Sequence, residues 1–210
     1  MKNRKNSSIS QKLLPLGSHV VLAAVNLYCL IIYFTQVTDK NLLDFGYVAY
    51  ITMLAQALIG LTKYLNDESF IDLRILLEYG QIVLPHPFLT TALWQKLSVG
   101  PNEIALLHCF FGLAAFLFFI LMEYKRQDLT DLALITSITS SIIVGILYEN
   151  YFATASGFLM AGSYFKLKRG EDVCTASPKT PTFAYYNLTM AAFSGVTLAQ
   201  FEPKNWIPEF

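Results

Sequence analysis

The run Cys109-Phe110-Phe111-Gly112-Leu113-Ala114-Ala115-Phe116-Leu117-Phe118-Phe119 carries no charge and no strongly polar side chain. With its flanks it extends over about 103–123. A helix needs about 20 mainly apolar residues to cross a bilayer, with ~17–25 tolerated. Inside a bilayer each backbone N–H and C=O must be satisfied within the segment, and a helix does this by itself. The stretch therefore reads as a membrane-spanning helix, and the class it sets is all-α.

The rest of the chain agrees with that class. It has 210 residues, of which 54% are hydrophobic and 14% charged, with a mean hydropathy of +0.45. A soluble domain is about a quarter charged. The charges also cluster between long apolar runs. Applying the same length rule gives seven spans, at about 16–36, 45–65, 70–94, 103–123, 129–148, 150–166 and 182–201. Residues 1–15 are then a basic cytoplasmic tail, and 1–210 form one membrane domain. The first span lacks a small-x-small cleavage pattern at Thr35-Gln36-Val37-Thr38-Asp39 and reads as retained. Between Leu132 and Phe165 only Glu149 is charged, and the run is too long for one span. A tight turn at Tyr148-Glu149-Asn150 divides it into two.

Segment 70–94 is the polar exception. It carries Asp72, Arg74 and Glu78, then Pro85-His86-Pro87. Two readings compete. It is a proline-kinked span, or it is an amphipathic helix in the interface with Leu73, Leu76, Leu77 and Leu84 toward lipid. Charge bias separates them, because cytoplasmic loops carry excess Lys and Arg. With the N-terminus inside and seven crossings, eleven basic residues lie inside: Lys2, Arg4, Lys5, Lys12, Lys63, Lys125, Arg126, Lys166, Lys168, Arg169 and Lys179. Only Lys40, Lys96 and Lys204 lie outside. Removing the third crossing flips everything after it, and the tally becomes eight against seven. Seven crossings are expected, and six with one interfacial helix is the alternative. The cost falls mainly on Glu78, at ~2.5–3.5 kcal/mol for a central charge.

Small residues at four-residue spacing let membrane helices approach closely. Three late segments carry such stripes: Ser137, Ser141 and Gly145; Ala153, Gly157 and Ala161; Ala191, Gly195 and Ala199. They predict a tight three-helix subbundle.

The candidate polar site is Arg74, Glu78 and Gln81, which fall on one helical stripe, with His86 beyond them. Arg74 and Glu78 can pair along the helix. A proline kink frees backbone carbonyls nearby. Ionisable groups inside a membrane are costly to keep and are functional candidates by default. The competing structural reading is a self-neutralising ion pair plus interface residues. Asn26, Gln56, His108, Glu103 and Glu149 are the remaining polar groups of interest, and His19 reads as a cytoplasmic-edge residue.

Several classes are excluded. The 15 basic and 15 acidic residues give a formal net charge of zero, so no basic surface favours nucleic acid. Cys29, Cys109 and Cys174 form neither a disulfide framework nor a zinc spacing. Cys174, beside Lys166, Lys168 and Arg169, is an acylation candidate, though an ordinary loop thiol is the simpler reading. No metal motif, phosphate loop or dinucleotide fingerprint occurs, so no metal or cofactor is expected. Phe193-Ser194-Gly195 has no histidine after it to act as base. Asn6-Ser7-Ser8 and Asn187-Leu188-Thr189 fit the glycosylation pattern but fall inside and within a span.

The thin polar inventory favours a non-catalytic membrane subunit or scaffold acting through helix–helix contacts. Its partners would be the lipid bilayer and a membrane protein or a second copy of the chain. The alternative is a small-solute or ion transporter with a polar path along 70–94. An intramembrane lipid-modifying enzyme comes third.

Overall fold

The computed structural model describes residues 3–37, 45–65, 70–169 and 181–201. The loop around Cys174, Pro178 and Lys179, together with Lys2, Lys40 and Lys204, lies outside the described residues. The helices are α1 (Asn3–Ile32), α2 (Phe45–Leu65), α3 (Ile71–Val83), α4 (Pro85–Leu97), α5 (Asn102–Met122), α6 (Gln127–Leu147), α7 (Tyr151–Gly162) and α8 (Pro181–Ala199). α1 runs on as a π-helical turn over Tyr33–Val37, and α7 runs on as another over Ser163–Lys168. No strand occurs among the described residues. Counting α3 and α4 as one segment, there are seven. Among the described residues four stretches are long and apolar enough to cross a membrane: Leu13–Thr35, Phe45–Thr62, Asn102–Met122 and Gln127–Leu147.

The turns follow from local chemistry. Ser98, Glu123 and Glu149 adopt left-handed backbone angles just after α4, α5 and α6, the usual way a helix is closed. The Asn150 side chain accepts a hydrogen bond from the Ala153 amide at 3.1 Å, and so caps α7. The α6–α7 connection is therefore a tight turn at the place the sequence suggested.

α1 begins at Asn3, so the helix extends back beyond its apolar stretch, which starts at Leu13.

Side-chain contacts assign the helix termini to two ends. At one end Glu78 of α3 meets Lys168 after α7, and Tyr79 meets Thr130 of α6. There too His19 of α1 packs on Tyr64 of α2 and Phe183 of α8. At the opposite end Lys96 of α4 donates to the Phe201 carbonyl after α8. Asn150 donates to the Gln200 carbonyl, and Tyr33 packs on Phe201. Segment 71–97 thus traverses the bundle from end to end.

That segment is also the most enclosed. Every residue from Tyr79 to Leu93 is buried. The interfacial alternative required Leu84 to face outward, and Leu84 is in the core. Leu76 and Leu77 are half-buried, and of the four leucines only Leu73 is exposed. α3 and α4 pack against α2, α5 and α6.

The small-residue stripes divide. Ser137, Ser141 and Gly145 face Ala153 and Gly157, all five of them buried, with Ala161 half-buried. Ser141 donates to the Ala153 carbonyl at 2.9 Å. A Cβ on Gly145 would stand 2.6 Å from the Thr154 amide nitrogen, and one on Gly157 would stand 2.6 Å from Ile142. α8 packs against α7, but its stripe is not wholly enclosed. Ala191 is buried and Ala199 half-buried, but Gly195 is exposed with nothing within 4 Å of a Cβ built there. α8 packs most extensively against α1, and it does so through a polar face.

Candidate functional site

The site begins with what proline lacks. Pro85 and Pro87 have no N–H, so the carbonyls of Gln81 and Val83, four residues earlier in each case, lose their regular helical partners. Pro85 sits at the start of α4, where the missing donor costs least. The chain breaks there into α3 and α4. α5 closes on the break: a Cβ at Gly112 would stand 2.8 Å from the Val83 carbonyl oxygen. Thr91 ties the same two helices. Its hydroxyl lies 3.0 Å from the Ala105 carbonyl and accepts from the Cys109 amide at 3.2 Å.

Two polar side chains flank the break. Gln81 is fully buried, and neither its Oε1 nor its Nε2 has a hydrogen-bond partner among the described residues. His86 is buried with its Nδ1 3.3 Å from Thr90 Oγ1, and its ring stacks on Phe193 of α8 at 5.6 Å. A third group, Gln56 on α2, is buried with Oε1 unpartnered.

The Glu78 carboxylate receives Lys168 Nζ at 2.6 Å, an interaction across helices that the sequence expectation did not include. Lys168 is only 2% exposed and Glu78 12%. The ammonium lies 4.9 Å from the Phe183 ring centroid and 5.3 Å from that of Tyr186, close enough for cation–π attraction. Arg74 is half-buried one turn before Glu78.

A second cluster sits at the same end. Tyr164 donates to Asp131 Oδ1 at 2.6 Å, Gln127 Nε2 to the same oxygen at 2.8 Å, and Arg169 to Oδ2 at 3.0 Å. Together with the Glu78–Lys168 pair it fastens the π-helical turn after α7 to α3 and α6.

A third polar line runs between α1 and α8. Asn187 Nδ2 lies 3.4 Å from both Ser18 Oγ and His19 Nδ1. Ser194 donates to Asn26 Oδ1 at 2.9 Å, and Asn26 donates to the Leu22 carbonyl at 2.8 Å. Tyr50 of α2 meets Thr197 at 3.1 Å. His19 is buried among α1, α2 and α8 at the same end of the bundle as Lys168. Asn187 is wholly enclosed, with Nδ2 facing Ser18 and His19 and Oδ1 without a partner among the described residues. The sequence reading treated Asn26 and His19 in isolation and missed their partners. The available signal was the spacing of Asn187, Ser194 and Thr197, which share one helical face.

The structure thus brings Gln81 and His86 to one enclosed break, with Glu78 toward one end and tied to a lysine from elsewhere. Such an arrangement can bind a small polar group by hydrogen bonds. Among the described residues no cluster of His, Cys, Asp or Glu is suited to a metal ion. No protein-family model, curated protein or solved structure matches this chain.

Proposed function

We propose that the chain is an integral membrane protein that crosses the bilayer seven times, with its N-terminus cytoplasmic, and that it is a small-solute carrier whose polar path follows the broken segment α3–α4. The membrane reading is supported by the large apolar side chains on outer faces, among them Phe110, Leu117, Leu121 and Ile146, and by the eleven-to-three bias of basic residues. Soluble proteins rarely leave such surface contiguous. The carrier reading rests on one observation above all, the enclosed and unpartnered Gln81 amide beside a helix break. Each unmade hydrogen bond of a buried polar group costs about 1–3 kcal/mol. Broken helices that free backbone groups near the middle of a membrane bundle are a recurrent way to bind transported solutes.

Two experiments test this. A cysteine at Ser98, in a background lacking native cysteines, reports which side that turn occupies. Labelling by an impermeant thiol reagent from the non-cytoplasmic side is expected; labelling only from the cytoplasmic side removes the third crossing. In proteoliposomes, uptake of a panel of labelled sugars, polyols and amino acids is compared with Gln81→Leu and Glu78→Gln. The carrier reading expects at least one solute whose uptake both variants abolish, with Gln81→Leu as stable as the parent. Uptake of none of them, or uptake indifferent to Gln81, ends it.

A second reading is favoured by Gly195. This exposed glycine, one turn beyond Ala191 on α8, leaves room for a second helix to approach. On this reading the chain is a membrane subunit or homo-oligomer contacting its partner through α8. Gly195→Leu would then abolish recovery of the complex while leaving the fold intact.

A further inference from the structure

Lysine is among the residues least often enclosed, yet Lys168 is 2% exposed. The place that holds its ammonium is a cage. On one side is the Glu78 carboxylate, at 2.6 Å. The Phe183 and Tyr186 rings of α8 form the others, with centroids at 4.9 and 5.3 Å. An aromatic face carries negative charge, so carboxylate and rings all favour a positive charge at this one point. They disfavour an anion there.

The cage offers more than lysine uses. Tyr186 is wholly enclosed, and its hydroxyl has no partner among the described residues. About one turn further along α3, the Gln81 amide is idle as well. An ammonium on a plain methylene stem has nothing to offer either of them. A cation that also carries a hydroxyl does.

Charge limits how such a cation enters. Glu78 and Lys168 together are neutral. A second cation would leave an uncompensated charge enclosed, which is costly. Exchange avoids this, because the carboxylate keeps a cation throughout. The backbone provides the exit. Lys168 ends the π-helical turn Ser163–Lys168, and Lys166 and Arg169 close by in the chain are exposed. Winding those residues as an α-helix would rotate Lys168 about the axis relative to Gly162, off its present bearing.

We propose that this cage is a binding site for an alkylammonium solute bearing a hydroxyl, which takes the place of the Lys168 ammonium. The proposal deepens the carrier reading and rests on it for where the bound cation passes next.

Displacement is measured on the purified full chain in a nonionic detergent, with a small amine-acylating reagent. Lys168 is shielded while caged, and exposed Lys166 in the same stretch is the internal reference. The first probe is choline, whose quaternary nitrogen the reagent cannot acylate. The second is its neutral isostere dimethylbutanol, with carbon in place of nitrogen. Tetramethylammonium lacks the hydroxyl, and sodium chloride at equal ionic strength matches the screening. Choline is expected to raise the ratio of Lys168 to Lys166 acylation several-fold and saturably, read by peptide mass spectrometry. The isostere and sodium chloride should leave it unchanged. Tetramethylammonium should need roughly fivefold more for half its effect, for want of one hydrogen bond. Tyr186→Phe keeps the ring and removes only an idle hydroxyl, so it should fold as the parent does and erase that difference. In Lys168→Ala the internal competitor is gone. Choline should then raise the melting temperature at lower concentration than displacement needs. A ratio that choline does not move, or that the isostere moves equally, overturns the inference, as does a choline advantage that survives Tyr186→Phe. Uptake separates the two readings. Choline that displaces Lys168 but enters no proteoliposome ends the carrier reading alone. Uptake of another solute with Lys168 undisturbed ends this inference alone.

Discussion

α5 and the α3–α4 segment make opposite use of polarity. α5 is the most apolar helix of the chain, yet much of its bulk points outward, with Phe110 61% and Leu117 53% exposed. Its buried face is made of small groups, among them Ala105, Cys109, Gly112 and Ala115, with Phe119 at one end. Between Tyr79 and Leu93 the α3–α4 segment has two prolines, a glutamine, a histidine and two threonines, and all of that stretch is enclosed. In water the hydrophobic effect would have reversed these placements. Here the apolar helix faces outward and the polar one is shielded by its neighbours. The lesson is that hydropathy along this chain reports where lipid would be, while the interior is marked by small residues and by polar groups with partners.

The largest expected effect probes the enclosed side of that contrast. Lys168→Met takes the enclosed ammonium away from the Glu78 carboxylate. Breaking a buried pair on one side typically costs about 3–5 kcal/mol. Thermal unfolding in detergent should show a large fall, and adding Glu78→Gln should recover part of it. No fall would mean the pair is wet. Next comes the outer side. Leu117→Arg on α5 puts a charge where lipid is expected and should disfavour insertion by about 2.5–3.5 kcal/mol. A membrane-insertion reporter measures this, and unchanged insertion would break the comparison.

The packing seam sharpens the contrast further. Gly145→Leu drives a side chain into the α7 backbone at Thr154, and overpacking of this kind costs about 1–3 kcal/mol. Gln81→Leu should run the other way. It removes an unpartnered amide and should leave the melting temperature unchanged or raised, a gain of about 1 kcal/mol. Gly195→Leu is the smallest, within ~0.5 kcal/mol of the parent, since nothing stands near it. A destabilised Gly195→Leu monomer would put that glycine in a seam after all.

The sequence made the helices visible because apolar runs of bilayer length are unambiguous. The expected segment 45–65 coincides with α2, and the expected 103–123 and 129–148 fall within two residues of α5 and α6 at each end. The break in segment 70–94 was readable from Pro85-His86-Pro87. Its enclosure rested only on a charge tally, because a helix with apolar residues on several sides does not announce which side meets neighbours. Lys168 was read as a loop cation. Nothing in one sequence says that the chain after α7 turns π-helical and lies against Glu78. Gly195 failed as a packing marker for a related reason. Four-residue spacing defines a stripe without saying whether it faces inward, and on α8 the polar line Asn187, Ser194 and Thr197 faces α1 and α2 instead.

That polar line also sets a schedule for the chain. Asn26 and Ser194 are separated by 168 positions. At about 5–20 residues per second of synthesis, the first helix waits roughly ten to thirty seconds for the last. Until then Asn26, Ser18 and His19 have no α8 to bond, and their polar groups must find other partners. The bundle is closed by its final helix, as a barrel is by its last stave. A ribosome stalled before residue 181 would hold a nascent chain with a polar seam open along its side, a form that quality control could recognise by that seam alone.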